Sequence, residues 1–269
     1  MGENNLKICV LISCMNQHDY SIVERTRVQT DCVVVNQCDK DGVYEYEFQN
    51  KRGKLCHVKF ISTTQRGLSK SRNMALRNTT ADICQICDDD EELEDGYEDH
   101  IIEAYKILPE VAAILFKIRR NDGYPQVFPN KTTSLSMIRL FMSSSQQITF
   151  RRQVVSETNL FFDEKMGSGT GNGGGEEVKF LLDLKRANQK VFFYPALIAA
   201  VNPGESQWFH GCDKKFIRDK GWAIRRTVGG TLGLIYNLYF VVSHRKEYIS
   251  NMSMLSALKE MCIGWSENR

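Results

Sequence analysis

Five acids, Asp88, Asp89, Asp90, Glu91 and Glu92, follow directly on the short apolar run Ile83-Cys84-Gln85-Ile86-Cys87. Carboxylates at the end of a strand suit a hard divalent cation, because Mg²⁺ takes one or two carboxylates and completes its shell with substrate phosphates and water. Open α/β sheets bind ligands at the carboxyl ends of their strands, so place and chemistry together suggest a phosphate-bearing substrate. Taken alone, the same acids equally fit a solvated turn opening the next helix, with Glu91, Glu92, Glu94 and Asp95 at the positive end of its dipole. A second concentration of polar chemistry lies at Glu176-Glu177, reached through the glycine-rich run 167–175. Residues 169–174 satisfy GxGxxG, but a dinucleotide fingerprint needs a strand just before it and an acid about twenty residues on. Residues 161–165 make a poor strand and 191–202 contain no acid. The glycine density suggests instead a flexible acceptor-side loop.

The elements that must position these groups can be read from hydrophobic periodicity. Residues 6–12 and 32–35 have buried-strand patterns, and 20–29 between them carry apolar and charged residues at helical spacing, which makes a βαβ unit. A strand at 56–61, a helix at 68–78, the strand 83–87 before the acids and a helix at 97–108 stopped by Pro109 continue the alternation. Residues 112–118 predict a further strand, followed by a turn-rich stretch with Asp122-Gly123, Pro125 and Pro129. Later strands fall at 147–151 and 191–194, with a helix over 176–188. This order predicts an α/β fold, a doubly wound, mostly parallel sheet covered on both faces. From 213 the pattern turns to apolar helix, a C-terminal helical appendage.

The 269 residues suit one large domain or a domain with an appendage, and the net charge of +2, with scattered basic residues, gives no basis for nucleic-acid binding. Nine dispersed cysteines in apolar runs suit reduced core thiols, so no disulfide is expected. Cys84 and Cys87 have CxxC spacing, but within a strand residues three apart point to opposite faces. The polar, acidic start Met1-Gly2-Glu3-Asn4-Asn5 lacks a signal-peptide pattern, which points to a cytoplasmic chain. Residues 227–243 hold no charge and are flanked by Arg225-Arg226 and His244-Arg245-Lys246. This stretch falls short of the roughly 20 residues of a membrane span. Packing in a core or between subunits and peripheral contact with the inner face of a membrane are both open for it, the latter favoured by Tyr236, Tyr239 and Phe240.

Four pieces at strand ends share one order: Ser13-Cys14-Met15-Asn16, Asn36-Gln37-Cys38-Asp39, Gly67-Leu68-Ser69-Lys70-Ser71-Arg72-Asn73 and the acidic cluster. Together they resemble the nucleotide-sugar-binding half of inverting family 2 glycosyltransferases of the bacterial surface-polysaccharide type, with the Rossmann-like A-type glycosyltransferase fold, over about residues 6 to 205. The resemblance implies a catalytic domain at 1–212, its nucleotide-sugar half at 1–110 and acceptor half at 111–212, with the appendage at 213–269. It implies that Ser13, Asn16, Asn36 and Asp39 hold the base and ribose; where Asn36 stands the family usually has an aspartate, and an amide can both donate and accept. Lys70 and Arg72, at a helix start, would meet the diphosphate. Asp88-Asp89-Asp90 matches the Asp-x-Asp element, with Asp90 the ligand of Mn²⁺ or Mg²⁺, Asp88 its partner and Asp89 beside the nucleotide. Glu176-Glu177 stands where the family carries a Glu-Asp pair with the catalytic base; Glu177 aligns with the aspartate, and its extra methylene leaves open which of the two is the base. The histidine that many relatives place after the next strand is missing from Val201-Asn202-Pro203-Gly204-Glu205, and the nearest is His210, beside Trp208 and Phe209.

The implied activity is metal-dependent inverting transfer of a sugar from a nucleoside-diphosphate donor to a hydroxyl of a glycan or lipid-linked acceptor. Two alternatives remain at this point: a sugar nucleotidyltransferase, and a binding protein that has lost catalysis, which the departures at Asn36, Glu177 and Asn202 would suit. Oligomeric state has no signal in the sequence.

Overall fold

A computed structural model describes residues 6–121, 128–202 and 211–269. The expected turn at Asp122, Gly123 and Pro125, and the segment with Trp208, Phe209 and His210, lie outside these residues. In the first half the chain runs β1 (Ile8–Met15), α1 (Ile22–Arg25), β2 (Asp31–Gln37), β3 (Gly42–Gln49), β4 (Leu55–Thr63), α2 (Leu68–Arg77), β5 (Ile83–Asp88), β6 (Glu91–Leu93) and α3 (Tyr97–Ile107). It continues through β7 (Ala113–Arg120), β8 (Thr133–Ser134), α4 (Met137–Leu140), a 3₁₀ turn (Ser145–Gln147), β9 (Ile148–Arg151), α5 (Arg152–Thr158), α6 (Glu176–Arg186) and β10 (Val191–Val201). Four helices close it: α7 (Lys214–Thr227), α8 (Gly230–Ser243), α9 (Arg245–Tyr248) and α10 (Met254–Ser266).

Among the described residues, one sheet of ten strands has the order β3-β4-β2-β1-β5-β9-β7-β10-β6, with β8 beside β10. Strands β4, β2, β1, β5, β7 and β10 run one way; β3, β9, β6 and β8 oppose them. The sheet is therefore mostly parallel. From β1 the chain goes to β2 on one side and later to β5 on the other, and such a reversal opens a crevice at the carboxyl ends of the central strands.

Alternate residues of β1 enter two core layers: Ile8, Val10, Ile12 and Cys14 on one face, Cys9 and Leu11 on the other. Burying each Leu, Ile or Val is worth about 1.5–3 kcal/mol relative to leaving it exposed, so both faces hold β1 in register. Cys87 lies in the first layer and Cys84 in the second, on opposite faces of β5. All nine cysteines are free.

Three elements differ from expectation. The helix expected over 20–29 is a single turn, because Arg27 adopts φ 56° and ends it. β3 is an unexpected edge strand, largely exposed and paired antiparallel to β4. The appendage is four helices around Ile217, Ile224, Phe240, Tyr248 and Met261. Helices α7 and α10 cross backbone to backbone: a Cβ at Gly264 would lie 1.8 Å from the Arg218 carbonyl oxygen. Among the described residues, no helix is long and apolar enough to cross a membrane.

Candidate active site

The carboxyl ends of β1, β2 and β5 bring three of the sequence pieces to one edge of the sheet. Ser13 is the register neighbour of Asp88 across β1 and β5, and Cys14 of Asn36 across β1 and β2. Asn36 is buried, and both ends of its amide are held by Gln17: it accepts from the Gln17 N–H at 2.9 Å and donates to the Gln17 carbonyl at 3.0 Å. It thereby shapes the loop after β1, in which Asn16 sits exposed at φ 50°. Gln37, which carried no sequence signal, accepts from the Gly67 N–H at 2.7 Å and fixes the start of α2. Ser13 is buried and bonds Ser71 of α2 at 2.8 Å.

The other residues expected on the donor side are more dispersed. Lys70 is half-buried in the first turn of α2. Its neighbour Leu68 already donates its N–H to the Ser168 carbonyl at 2.9 Å. Asp39 points into solvent and pairs with Arg66 at 2.7 Å.

At the centre, a guanidinium sits between two carboxylates. Arg72, 1 % exposed, donates through Nη1 to Glu176 at 2.8 Å and through Nη2 to Asp88 at 3.0 Å. Burial works against its charge, but Asp88 and Glu176 more than offset that, and the guanidinium is held more firmly protonated than usual. Arg72, expected at the diphosphate, has both terminal nitrogens bonded to protein carboxylates. The adjacent Asn73 clasps Phe162, donating to its carbonyl at 2.8 Å and accepting from its N–H at 3.0 Å. The Ser145 hydroxyl, also silent in the sequence, donates to Asp88 at 2.8 Å.

The two glutamates at the start of α6 have different surroundings. Glu176 is buried, bound to Arg72 and to the Gly175 N–H at 3.1 Å. Glu177 is half-buried, and burial together with the Glu176 charge pushes it up to about 7, while Arg72 and Lys220 pull the other way. A carboxylate poised near neutrality is matched to general base work. Lys220 comes from α7, so the C-terminal helices reach the site.

The acids after β5 crowd one another. The Asp88 N–H donates to Glu91 at 3.2 Å, closing a tight turn that exposes Asp89 and half-buries Asp90. Burial, then the charges of Asp88 and Asp89, push Asp90 up to about 6; burial and Asp88 also raise Asp89. Glu91, buried, is pushed well above its usual value by burial and then by Asp88. Asn202, where a histidine might have stood, donates to Glu92 at 2.9 Å.

The glycine-rich run is pinned rather than loose, contrary to its sequence reading. Gly167 donates to the Gly173 carbonyl at 3.2 Å, Asn172 to that of Lys165 at 2.9 Å, and Lys215 of α7 to that of Gly171 at 2.9 Å. A Cβ at Gly173 would lie 2.6 Å from the Asp219 carbonyl oxygen, and one at Gly167, at φ 97°, 3.1 Å from the Glu176 carboxyl carbon. At Gly173 α7 leaves no room for a side chain and at Gly167 Glu176 crowds one, whereas Gly169, Gly171 and Gly175 adopt positive φ, which favours glycine.

Comparison with known proteins agrees with this architecture. Three structures of S. aureus TarS 1-349 resemble the chain: the complex with UDP-GlcNAc (TM-score 0.65, 15 % identity, 96 % of this chain and 79 % of that one), the complex with UDP (0.61, 15 %, 97 % and 81 %) and the protein without a named ligand (0.61, 14 %, 97 % and 81 %). At such identity they establish a shared fold. Curated proteins give no sequence match. The profile of glycosyl transferase family 2 matches residues 11–166, more than half of the chain, including Arg72, the acidic turn and Ser145 but ending before Glu176. The chain belongs to glycosyl transferase family 2 and is a glycosyltransferase.

Proposed function

We propose that the protein moves a sugar from a nucleoside-diphosphate sugar to a hydroxyl of a glycan or lipid-linked acceptor, inverting the anomeric centre, with Glu177 as the base. The observation that carries this reading is the contrast between adjacent glutamates: Glu176 is locked to Arg72, while Glu177 keeps a carboxylate at about 7 with its neighbour's charge beside it. Glu177 takes the proton of the acceptor hydroxyl as that oxygen attacks the anomeric carbon from the face opposite the diphosphate, which departs with the bonding electrons. Arg72 holds Asp88 and Glu176 in place beneath the reacting groups and neutralises part of their charge. The TarS complexes carry UDP-GlcNAc and UDP, which favours a uridine-diphosphate sugar as donor here.

Asp90 and Asp88 would hold Mn²⁺ or Mg²⁺. Among the described residues no three His, Cys, Asp or Glu side chains form a metal cage, and an ion that keeps water and donor phosphates needs only one or two carboxylates. Asp90 is raised first by burial and then by the charges of Asp88 and Asp89, and a bound cation would favour its charged form. When bound it offsets the charge of the departing diphosphate.

A thermal-shift screen of nucleoside diphosphates and their sugars, with and without Mn²⁺, tests donor class and metal together, since a ligand that binds only the folded state raises its melting temperature. Metal-enhanced stabilisation by a uridine diphosphate is expected. A screen in which no nucleotide stabilises the protein contradicts the donor assignment.

A further inference from the structure

Most of the stretch 227–243 forms α8, whose outer side is a stripe of Leu232, Ile235, Leu238, Tyr239 and Val242, each between 54 % and 69 % exposed. A second element extends it. Ile138 and Met142, at α4, are 81 % and 78 % exposed, and the Phe141 ring stacks on Tyr236 of α8 at 5.1 Å, so the two segments form one apolar shelf. Patches of this kind mark a surface that is covered in use.

The charges around the shelf indicate what covers it. Helix α8 carries no charged residue, while Arg139 on α4, Arg225 before α8, and Arg245 and Lys246 after it are exposed and have no ion pair among the described residues. Arg226 is different: it pairs with Asp163 at 2.9 Å. The acid at this rim, Glu247, lies against the Cys212 thiol at 3.8 Å. A symmetric second copy of the chain would set these cations against their own counterparts. A layer of phosphate head groups over acyl chains complements both the cations and the apolar stripe.

We propose that the α4–α8 shelf docks on an anionic lipid bilayer, its apolar side chains in the interface and Arg139, Arg225, Arg245 and Lys246 at the phosphates. Met142 is three residues from Ser145, whose hydroxyl bonds Asp88 at 2.8 Å, so the docked face borders the catalytic site. The inference stands on the shelf alone, and its test needs no turnover.

The test is co-sedimentation of the full chain with vesicles of phosphatidylcholine, with and without about 30 % phosphatidylglycerol, alongside sedimentation velocity without lipid. The expected result is binding to the anionic vesicles alone, weakened roughly tenfold or more by about 0.5 M salt because exposed charges are screened. The same loss is expected in Ile235→Glu/Leu238→Glu and in Arg139→Gln/Arg245→Gln/Lys246→Gln, whose exposed sites leave the fold intact by circular dichroism. No binding at low salt, or binding that both variants retain, overturns the proposal. So does a dimer that Ile235→Glu/Leu238→Glu dissociates, which would assign the shelf to a second copy.

Discussion

Arg72 and Glu176 meet at 2.8 Å across 104 residues of sequence. This contact joins α2, which packs beneath the donor-side strands, to α6, which carries the proposed base. Because Arg72 also holds Asp88, one buried side chain sets the spacing between the acidic turn and the pair of glutamates.

Removing that side chain leaves two carboxylates without their counter-charge in a buried setting. Arg72→Met should therefore destabilise the protein by about 3–5 kcal/mol, the range for breaking a buried ion pair from one side. Urea denaturation measures it. A loss under about 1 kcal/mol would show that the triad is not a principal support of the fold.

The adjacent glutamates should separate on two axes. Glu177→Gln should lower turnover by roughly 10²- to 10⁴-fold with donor affinity nearly unchanged. Glu176→Gln should instead lower the melting temperature, because it takes a charged partner from Arg72. If Glu176→Gln proves the more damaging to turnover while folding normally, the base is Glu176.

The protonation of Glu177 gives a stability signature of the opposite sign. Its carboxyl rises from an ordinary 4.5 to about 7 on folding, through burial and the Glu176 charge. Between these values the folded state binds more protons than the unfolded chain, so stability falls as pH rises through the window. Glu177→Gln should remove that loss, raising the melting temperature at pH ~8 but not at pH ~4. The acid limb of kcat/KM, measured with saturating metal, should likewise centre near 7 and rise with pH. A thermal profile of the variant parallel to that of the parent would remove the perturbation from Glu177.

Much of this arrangement was legible because it is local in sequence. The acids after β5 and the glutamates at the start of α6 are contiguous runs at the ends of recognisable elements, and alternating strands and helices predict the doubly wound sheet. What was not legible is long-range or ambiguous. Arg72 as a surface cation and Arg72 as a buried clamp share one local sequence, and only its distant partner Glu176 distinguishes them. Ser145 reaches Asp88 from a segment without a motif. The glycines of 167–175 read as freedom because glycine permits both looseness and close packing, and at Gly173 the packing of α7 decides for the latter. β3 escaped notice although Tyr44, Tyr46 and Phe48 alternate with Glu45 and Glu47, because only Tyr46 and Phe48 reach the core from an otherwise exposed edge.

Two neighbouring glycines test the squeezed loop. A Cβ at Gly173 would meet the Asp219 carbonyl oxygen at 2.6 Å and the Ala223 Cβ at 3.0 Å, whereas one at Gly174 finds its nearest atom at 3.9 Å. Gly173→Ala should cost about 1–3 kcal/mol and reduce turnover, and Gly174→Ala should be tolerated. Equal effects in thermal melts of the two variants would remove the packing of α7 as the reason for the glycine.

Asp90→Asn should leave the fold intact and abolish any enhancement of nucleotide binding by Mn²⁺ in calorimetry. In the parent, that enhancement should fade as pH drops below about 6, where the proton competes for the same carboxylate. Undiminished Mn²⁺-dependent affinity in the variant would move the ligand role to another residue.

The central claim is best tested by what leaves the donor. The purified chain is incubated with uridine-diphosphate sugars, Mn²⁺ and a hydroxyl acceptor or water, and the products are followed by phosphorus and proton NMR. The account predicts release of nucleoside diphosphate, a product of inverted anomeric configuration, and loss of both in Glu177→Gln. Release of pyrophosphate from a nucleoside triphosphate, retention of configuration, or undiminished turnover in Glu177→Gln would contradict it.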